Sequence, residues 1–163
     1  MGREEELAHD AGKLLREKGF SLAVAESCTG GLLASLITDI PGSSDYFLGG
    51  VTAYANAIKE RILGVEQEVL ATQGAVSREA ALAMAAGVRK LLGADLALAT
   101  TGIAGPDGGT TQKPVGLTYI ALAGEGFALC QSFTWQGDRW ANKLASAGAA
   151  LEMLGEYLRK ERT

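Results

Sequence analysis

Hydrophobic residues recur at helical spacing near both ends of the chain and form short apolar runs between them. Near the start, a stripe that repeats every three to four residues predicts a helix over 4–18, built on Leu7, Ala11, Leu14 and Leu15. Gly19 follows this stripe and is typical of a helix end. After Asp138, steps of four and three predict a long final helix with a stripe of Trp140, Leu144, Ala147, Leu151, Leu154 and Leu158.

Five apolar runs between these helices predict β-strands, over 20–26, 46–54, 94–100, 115–122 and 127–135. Further helices are predicted over 29–39, 56–63, 66–72 and 78–92. Helices and strands in this order predict an α/β protein, a three-layer α/β/α sandwich around a mostly parallel, mixed five-stranded sheet. No linker or change of composition divides the chain, so 1–163 is expected to be one domain.

Composition and charge narrow the classes of function. The chain has a formal net charge of −4, and its lysines and arginines are scattered, so a nucleic-acid-binding surface is not expected. No apolar run approaches the roughly 20 residues that cross a membrane, and the charged start lacks the apolar segment of a secretory signal. Two cysteines do not make a disulfide framework. We therefore expect a cytoplasmic protein with reduced thiols and no membrane partner.

The chain contains too few histidines for most sites that depend on this residue. His9 is the single histidine, and its position two residues after Leu7 directs it away from the apolar stripe of the first helix. Zinc sites built from several histidines are excluded, and a serine–histidine–aspartate triad would have to use this one residue. If the protein is a hydrolase, we expect a base other than histidine, and neither a metal nor another cofactor.

One strand-to-helix junction carries hydroxyl and thiol groups. Ser27, Cys28 and Thr29 follow the first predicted strand, and Gly30 and Gly31 come directly after them. Backbone N–H groups are free at a helix start and favour negative charge, so a nucleophile there would have oxyanion donors close by. The alternative is that Ser27 or Thr29 serves only as a helix N-cap.

Two more polar segments follow the second and third predicted strands. Tyr54, Asn56 and Lys59 lie at a strand-to-helix junction, and a glycine-rich loop, 102–113, follows Thr101. If these strands are parallel, all three segments meet in one crevice beyond the carboxyl ends of the strands. The loop matches neither a dinucleotide fingerprint nor a P-loop. It is either a long surface connection or, because glycines let backbone amides approach a ligand, part of a binding site.

Lys59 and Cys28 bear on the choice of base and nucleophile. A lysine held among apolar groups in a crevice has a lowered pKa and can deprotonate a serine, as in serine/lysine hydrolases. The alternative, which spacing alone favours, is a solvated lysine on a short helix beside Glu60 and Arg61. Because side chains alternate along a strand, we expect Ser27 to face the site and Cys28 to pack in the core.

Seven short segments, in order along nearly the whole chain, carry a family resemblance. They are 25–31 (AESCTGG), 40–44 (IPGSS), 50–56 (GVTAYAN) with Lys59, 74–77 (GAVS), 101–109 (TGIAGPDGG), 113–116 (KPVG) and 137–139 (GDR). Together they resemble the CinA C-terminal domain family, whose members include stand-alone nicotinamide-nucleotide amidases. A set this long is highly specific.

The resemblance implies hydrolysis of nicotinamide mononucleotide to nicotinic acid mononucleotide and ammonia, by a serine/lysine mechanism. It implies Ser27 as the nucleophile, Lys59 as the base, and Tyr54 and Thr101 as supporting hydroxyls. The substrate contacts expected from it are Cys28, Thr29, Gly30, Gly31, Asn56, Gly102, Gly105 and Arg139. The expected partners are this small nucleotide and further copies of the chain, in a homodimer or a higher homo-oligomer.

The chain departs from the family pattern in two places, one of them a pair of residues. Ala55 stands where the family often has serine, and Asn142-Lys143 where it often has an aliphatic residue and arginine. If that arginine grips the substrate phosphate, Lys143 keeps the charge but loses the bidentate fork. Two other functions stay open: a nucleotide-binding regulatory module without catalysis, and an amidase or phosphatase-like hydrolase for a different nucleotide.

Overall fold

The computed structural model describes residues 1–161, so the last two residues of the predicted domain lie outside it. The helices are Arg3–Lys18 (α1), Leu32–Thr38 (α2), Asn56–Arg61 (α3), Gln67–Thr72 (α4), Arg78–Leu92 (α5) and Arg139–Lys160 (α6). The strands are Leu22–Glu26 (β1), Phe47–Thr52 (β2), Leu96–Gly102 (β3), Leu117–Gly124 (β4) and Phe127–Thr134 (β5). Within residues 1–161, no helix has both the length and the apolar character that crossing a bilayer requires.

The five strands form one mixed sheet in the order β2-β1-β3-β4-β5. Strand β1 pairs in parallel with β2 and with β3. Strand β4 runs antiparallel to both of its neighbours, β3 and β5. It is therefore the one reversed strand, and the predicted α/β architecture with a mostly parallel sheet is confirmed. The carboxyl ends of β1, β2 and β3 lie at the same edge of the sheet.

Alternating side chains give the sheet one face of large residues and one face of alanines. Under α1, α2 and α6, the sheet presents Leu22, Val24, Leu96, Leu98, Ile120 and Leu122. Under α5 and the segment around Leu63, it presents Ala23, Ala25, Ala97, Ala99, Ala121 and Ala123. Helix α5 is itself rich in alanine, and small residues on both sides let helix and sheet pack closely. The helices thus cover both faces, as a three-layer sandwich requires.

The main difference from the predicted elements lies after β1. A helix over 29–39 is expected, but α2 begins only at Leu32. Gly30 and Gly31 have φ angles of +61° and +104°, in a region that other residues rarely adopt, so the chain makes a turn before the helix starts. The strand expected over 46–54 likewise ends early, at Thr52, which frees Tyr54 from the sheet.

Candidate active site

A cavity of about 220 Å³ opens at the edge of the sheet where β1, β2 and β3 end. It is lined by Ser27, Cys28, Tyr54, Asn56, Lys59, Ala75, Val76, Thr101, Gly102, Ala104 and Arg139. The segments that follow three different strands therefore contribute to one cavity. The predicted convergence is confirmed, and its cause is the shared direction of the three strands.

Ser27 and Cys28 both line this cavity, so the prediction that only Ser27 faces it is wrong, whereas the predicted burial of Cys28 is confirmed. Strand β1 ends at Glu26, and the next residues form a turn in which strand alternation does not hold. The Ser27 N–H donates to the Thr100 carbonyl over 3.0 Å, and the Gly30 N–H donates to the Ser27 carbonyl over 3.1 Å. These two bonds fix the backbone on either side of the Ser27 hydroxyl.

The Cys28 thiol is buried, and this raises its pKa to about 12. Its own backbone N–H lowers the pKa, the Glu26 carboxylate raises it, and the charges of Lys59 and Lys143 lower it, all by less than burial does. The thiol therefore stays protonated at neutral pH. Because the thiolate is the reactive form, Cys28 is a poor nucleophile here, and Ser27 is the better candidate.

Lys59 is the buried base candidate of the cavity. Only 1% of this residue is exposed, although its neighbours Glu60 and Arg61 face solvent. Burial lowers the pKa of its amine, an effect that the Cys28 sulfur partly opposes. The Lys59 Nζ donates a hydrogen bond of 2.9 Å to the Tyr54 carbonyl. The alternative of a solvated lysine is therefore wrong, because the side chain lies on the inner face of α3.

Arg139 joins two of the segments around the cavity. Its guanidinium donates to the Tyr54 hydroxyl over 3.0 Å and to the Gly105 carbonyl over 2.7 Å. Arg139 is the first residue of α6, and Asp138 caps that helix by accepting from the Ala141 N–H over 2.8 Å. Arg139 thus fixes the phenol of Tyr54, a residue that is 60% exposed, at the edge of the cavity.

Thr101 and Gly102 end β3 inside the cavity. The buried Thr101 hydroxyl donates to the Ala75 carbonyl over 2.6 Å, so its proton is already used. This bond holds the segment that brings Ala75 to the cavity. At Gly102, a Cβ would stand 2.6 Å from the Thr118 hydroxyl and 2.8 Å from the Leu117 carbonyl oxygen. Gly102 is therefore required by its close approach to β4.

The predicted substrate contacts divide into two groups. Cys28, Asn56, Gly102 and Arg139 line the cavity, whereas Thr29, Gly30, Gly31 and Gly105 do not. Thr29 is buried, and its hydroxyl donates to the Glu26 carboxylate over 2.6 Å and lies 2.7 Å from the Thr100 hydroxyl. Gly105 supplies the carbonyl that binds Arg139. Thr29 and Gly105 thus stabilise residues next to the cavity without lining it themselves.

Glu26 is the residue of this region that the sequence analysis missed. Its carboxylate accepts from the N–H groups of Gly31 (3.2 Å), Leu33 (2.8 Å) and Ala34 (3.1 Å) at the start of α2. The prediction of free N–H groups is therefore wrong for the first residues of α2 and holds only in the turn before the helix. Within residues 1–161, Cys28 and Thr29 are the residues of the turn whose N–H groups have no oxygen acceptor. A glutamate at the end of an otherwise apolar buried strand was the available signal.

A second cation of α6 reaches the same turn. The Lys143 Nζ lies 3.6 Å from the position that a Cβ on Gly30 would occupy. Lys143 follows Arg139 by one helical turn, so both cations lie on one side of α6.

In the part of the chain that the structure describes, no group of three or more His, Cys, Asp and Glu residues is placed to hold a metal ion.

The chain is similar in sequence to a family model and to curated proteins of that family. The CinA C-terminal domain model matches residues 4–158. A CinA-like protein of Geotalea uraniireducens is 54% identical over 145 residues, which cover 89% of this chain and 34% of that protein. A CinA-like protein of Geobacter sulfurreducens is 54% identical over 146 residues, or 90% of this chain and 35% of that protein. The chain thus spans about a third of the length of these curated relatives.

Solved structures agree with this grouping. The crystal structure of a competence/damage inducible protein from Agrobacterium tumefaciens has a TM-score of 0.94 and 42% identity, and the match covers 98% of each chain. That of competence damage-inducible protein A from Klebsiella pneumoniae has a TM-score of 0.95 and 31% identity, covering 99% of this chain and 100% of the other. In sequence and in fold, this chain belongs to the CinA C-terminal domain family.

Proposed function

We propose that this protein hydrolyses the carboxamide of nicotinamide mononucleotide to give nicotinic acid mononucleotide and ammonia. One observation carries the proposal: Ser27 and the buried Lys59 line the same cavity, and burial lowers the pKa of the lysine amine. A neutral amine beside a serine hydroxyl is the pairing that a serine/lysine hydrolase needs. The family resemblance of the whole chain points to the same chemistry.

In the first half of the reaction, Lys59 takes the proton of the Ser27 hydroxyl, directly or through one water molecule. The Ser27 Oγ then attacks the carboxamide carbon. The hydrogen bond from Lys59 to the Tyr54 carbonyl uses one N–H of the amine and leaves its lone pair available for this proton. A carboxylate partner would instead hold the amine in its charged form.

Negative charge develops on the carboxamide oxygen during this attack. The N–H groups of Cys28 and Thr29 are the candidate donors for it, because the other N–H groups of the turn already have acceptors. Lys59 then gives its proton to the departing nitrogen, and ammonia leaves. A water molecule, deprotonated by Lys59, attacks the acyl-enzyme, which releases the carboxylate product and restores the Ser27 hydroxyl.

The charges around the cavity favour an anionic substrate. The chain as a whole carries a net charge of −4, but Arg139 and Lys143 face this turn and cavity from α6. The nearby Glu26 carboxylate is buried, and four hydrogen-bond donors from the turn and the start of α2 occupy its oxygens. A phosphate linked to the reacting amide through a ribose would meet these cations.

The test is to incubate the purified protein with nicotinamide mononucleotide and to measure ammonia together with nicotinic acid mononucleotide. Nicotinamide riboside, which lacks the phosphate, and free nicotinamide are the matched substrates. We expect the mononucleotide to give a kcat/KM at least about tenfold above that of the riboside, and Ser27→Ala to abolish both activities. No ammonia from the mononucleotide, or equal release by Ser27→Ala, would refute the proposal.

A further inference from the structure

Two ionisable side chains near the candidate active site, one at the end of β1 and one on α3, are almost completely buried, and the mechanism uses only one of them. Lys59 and Glu26 are each 1% exposed. A buried carboxylate costs free energy unless donors compensate it. Glu26 lies directly before Ser27 in the chain, so its contacts bear on the position of the nucleophile.

The Glu26 carboxylate ties the strand to the helix across the turn. Its Oε1 accepts from the Thr29 hydroxyl (2.6 Å) and from the N–H groups of Gly31 (3.2 Å) and Leu33 (2.8 Å). Its Oε2 accepts from the Ala34 N–H over 3.1 Å. The four donors lie three to eight residues after Glu26. The carboxylate therefore closes a loop around Ser27 and Cys28, with the negative charge at the favourable end of α2.

The backbone of Glu26 is fixed as firmly as its side chain. Its carbonyl accepts from the Ala53 N–H over 2.8 Å, and its Cα pairs with Thr52 in β2 and Thr100 in β3. Thr29 adds a bond between its hydroxyl and that of Thr100, at 2.7 Å. Ser27 thus lies between the end of β1, which is hydrogen-bonded to its neighbours, and the start of α2, which is bound by the Glu26 carboxylate.

We propose that Glu26 is a positioning residue for Ser27, and that its carboxylate fixes the turn so that the serine hydroxyl and the N–H groups of Cys28 and Thr29 meet at the reacting carbonyl. This inference rests on the proposed function only in taking Ser27 as the nucleophile. A helix cap that acts on stability alone would change the thermal midpoint but not the reactivity of the folded enzyme.

The variant Glu26→Gln tests this distinction. It keeps the shape and one carbonyl oxygen of the side chain, removes its charge, and replaces one acceptor with a donor that faces the Ala34 N–H. For nicotinamide mononucleotide we expect kcat to fall at least about tenfold while KM stays within about threefold, because a misplaced nucleophile affects the transition state more than binding.

The labelling of Ser27 by a fluorophosphonate, followed by mass spectrometry, is a second readout that does not depend on the substrate. We expect the labelling rate of Glu26→Gln to fall by a similar factor, at a temperature well below its thermal midpoint. The matched control is Leu158→Ala, a core substitution near the far end of α6 from the site, which lowers the thermal midpoint but should leave labelling near the wild-type rate.

If Glu26→Gln does not fold, Thr29 provides the test. Thr29→Val removes the 2.6 Å bond to Glu26 and should slow labelling, whereas Thr29→Ser keeps the hydroxyl and should restore it. Wild-type labelling rates in Glu26→Gln or Thr29→Val, or an equal loss in Leu158→Ala, would overturn the inference, as would a wild-type Ser27 that does not react at all. If wild-type Ser27 reacts but nicotinamide mononucleotide is not hydrolysed, the proposed substrate fails and labelling still decides the role of Glu26.

Discussion

The amine of Lys59 is held by the backbone of Tyr54, whose carbonyl accepts its hydrogen bond over 2.9 Å. Helix α3 begins two residues after Tyr54, so a lysine on its inner face can reach back to this carbonyl. Within residues 1–161, no carboxylate forms an ion pair with Lys59. Because a neutral carbonyl stabilises the charged amine much less than a carboxylate would, burial decides the direction of the pKa shift.

The first prediction concerns the pH dependence of catalysis. A lysine that acts as a base must be neutral, and burial lowers the pKa of Lys59 from its ordinary value of 10.5. We therefore expect kcat/KM to rise with pH along a limb that levels off below pH 10.5, measured as initial rates of ammonia release. Lys59→Met should lower kcat at least about 100-fold and remove this limb.

Lys59→Arg is the matched control for this prediction. Arginine keeps the positive charge and a similar length, but it stays protonated at all working pH values, so it should be as inactive as methionine. An active Lys59→Arg enzyme would mean that the residue acts through its charge and that another group is the base.

The second prediction follows from the same pKa shift and concerns stability. Between the lowered pKa of Lys59 in the folded protein and 10.5, the unfolded chain holds a proton that the folded chain lacks. The free energy of unfolding of the wild type should therefore rise with pH through this window, relative to that of Lys59→Met, and this advantage should be lost as pH falls through the folded pKa. Denaturant unfolding of both proteins at several pH values gives the difference. A difference that stays constant or falls as pH rises would contradict a lowered pKa.

The third prediction separates the two nucleophile candidates that line the cavity. Ser27→Ala should lower kcat at least about 1,000-fold while the thermal midpoint changes little. Cys28→Ala should keep kcat within about tenfold, because a thiol with a pKa of about 12 is not ionised at working pH. Alkylation by iodoacetamide is the independent measurement: Cys28 should react slowly at neutral pH. An inactive Cys28→Ala together with an active Ser27→Ala would show that Cys28, and not Ser27, is the nucleophile.

The sequence predicts the place of the cavity better than its details. Apolar runs such as Leu22–Ala25 and Leu96–Ala99 identify buried strands, and the polar residues after them identify the edge at which the strands end. The family motifs then select Ser27, Tyr54, Lys59 and Arg139, all of which line the cavity. This much depends on local patterns and on the common direction of neighbouring strands.

The turn after β1 could not be predicted in the same way. Strand alternation is a local rule, and it fails at Ser27 and Cys28 because the strand ends one residue earlier, at Glu26. The role of Glu26 depends on N–H groups up to eight residues away, which come within reach only once Gly30 and Gly31 adopt positive φ angles. No period or motif in the sequence encodes that distance.

The burial of Lys59 is likewise a tertiary effect. Helix α3 has only six residues, too few for a periodic pattern to reveal its inner face. The lysine is buried where segments distant in sequence meet, because it lies in the cavity with Cys28 and Thr101 and donates to the Tyr54 carbonyl. A lysine beside exposed Glu60 and Arg61 therefore looks solvated in the sequence and is buried in the fold.

The fourth prediction concerns Thr101, for which the resemblance implies a supporting hydroxyl in catalysis. In the structure, the Thr101 hydroxyl donates its proton to the Ala75 carbonyl over 2.6 Å, so it is able to accept a hydrogen bond from the substrate but not to donate one. Thr101→Val is nearly isosteric and leaves the Ala75 carbonyl without this donor. We expect the free energy of unfolding to fall by about 1–2 kcal/mol, measured by denaturant unfolding.

Kinetics then separate the structural role of Thr101 from a catalytic one. If the hydroxyl mainly holds the Ala75 segment, Thr101→Val should lower kcat by less than about tenfold, in parallel with the loss of stability. Thr101→Ser is the matched control: it keeps the hydroxyl and should keep kcat within about twofold, although the lost methyl group costs about 1 kcal/mol of stability. A drop of more than about 100-fold in Thr101→Val with unchanged stability would instead assign the hydroxyl a direct role, because only a contact made in the transition state has that signature.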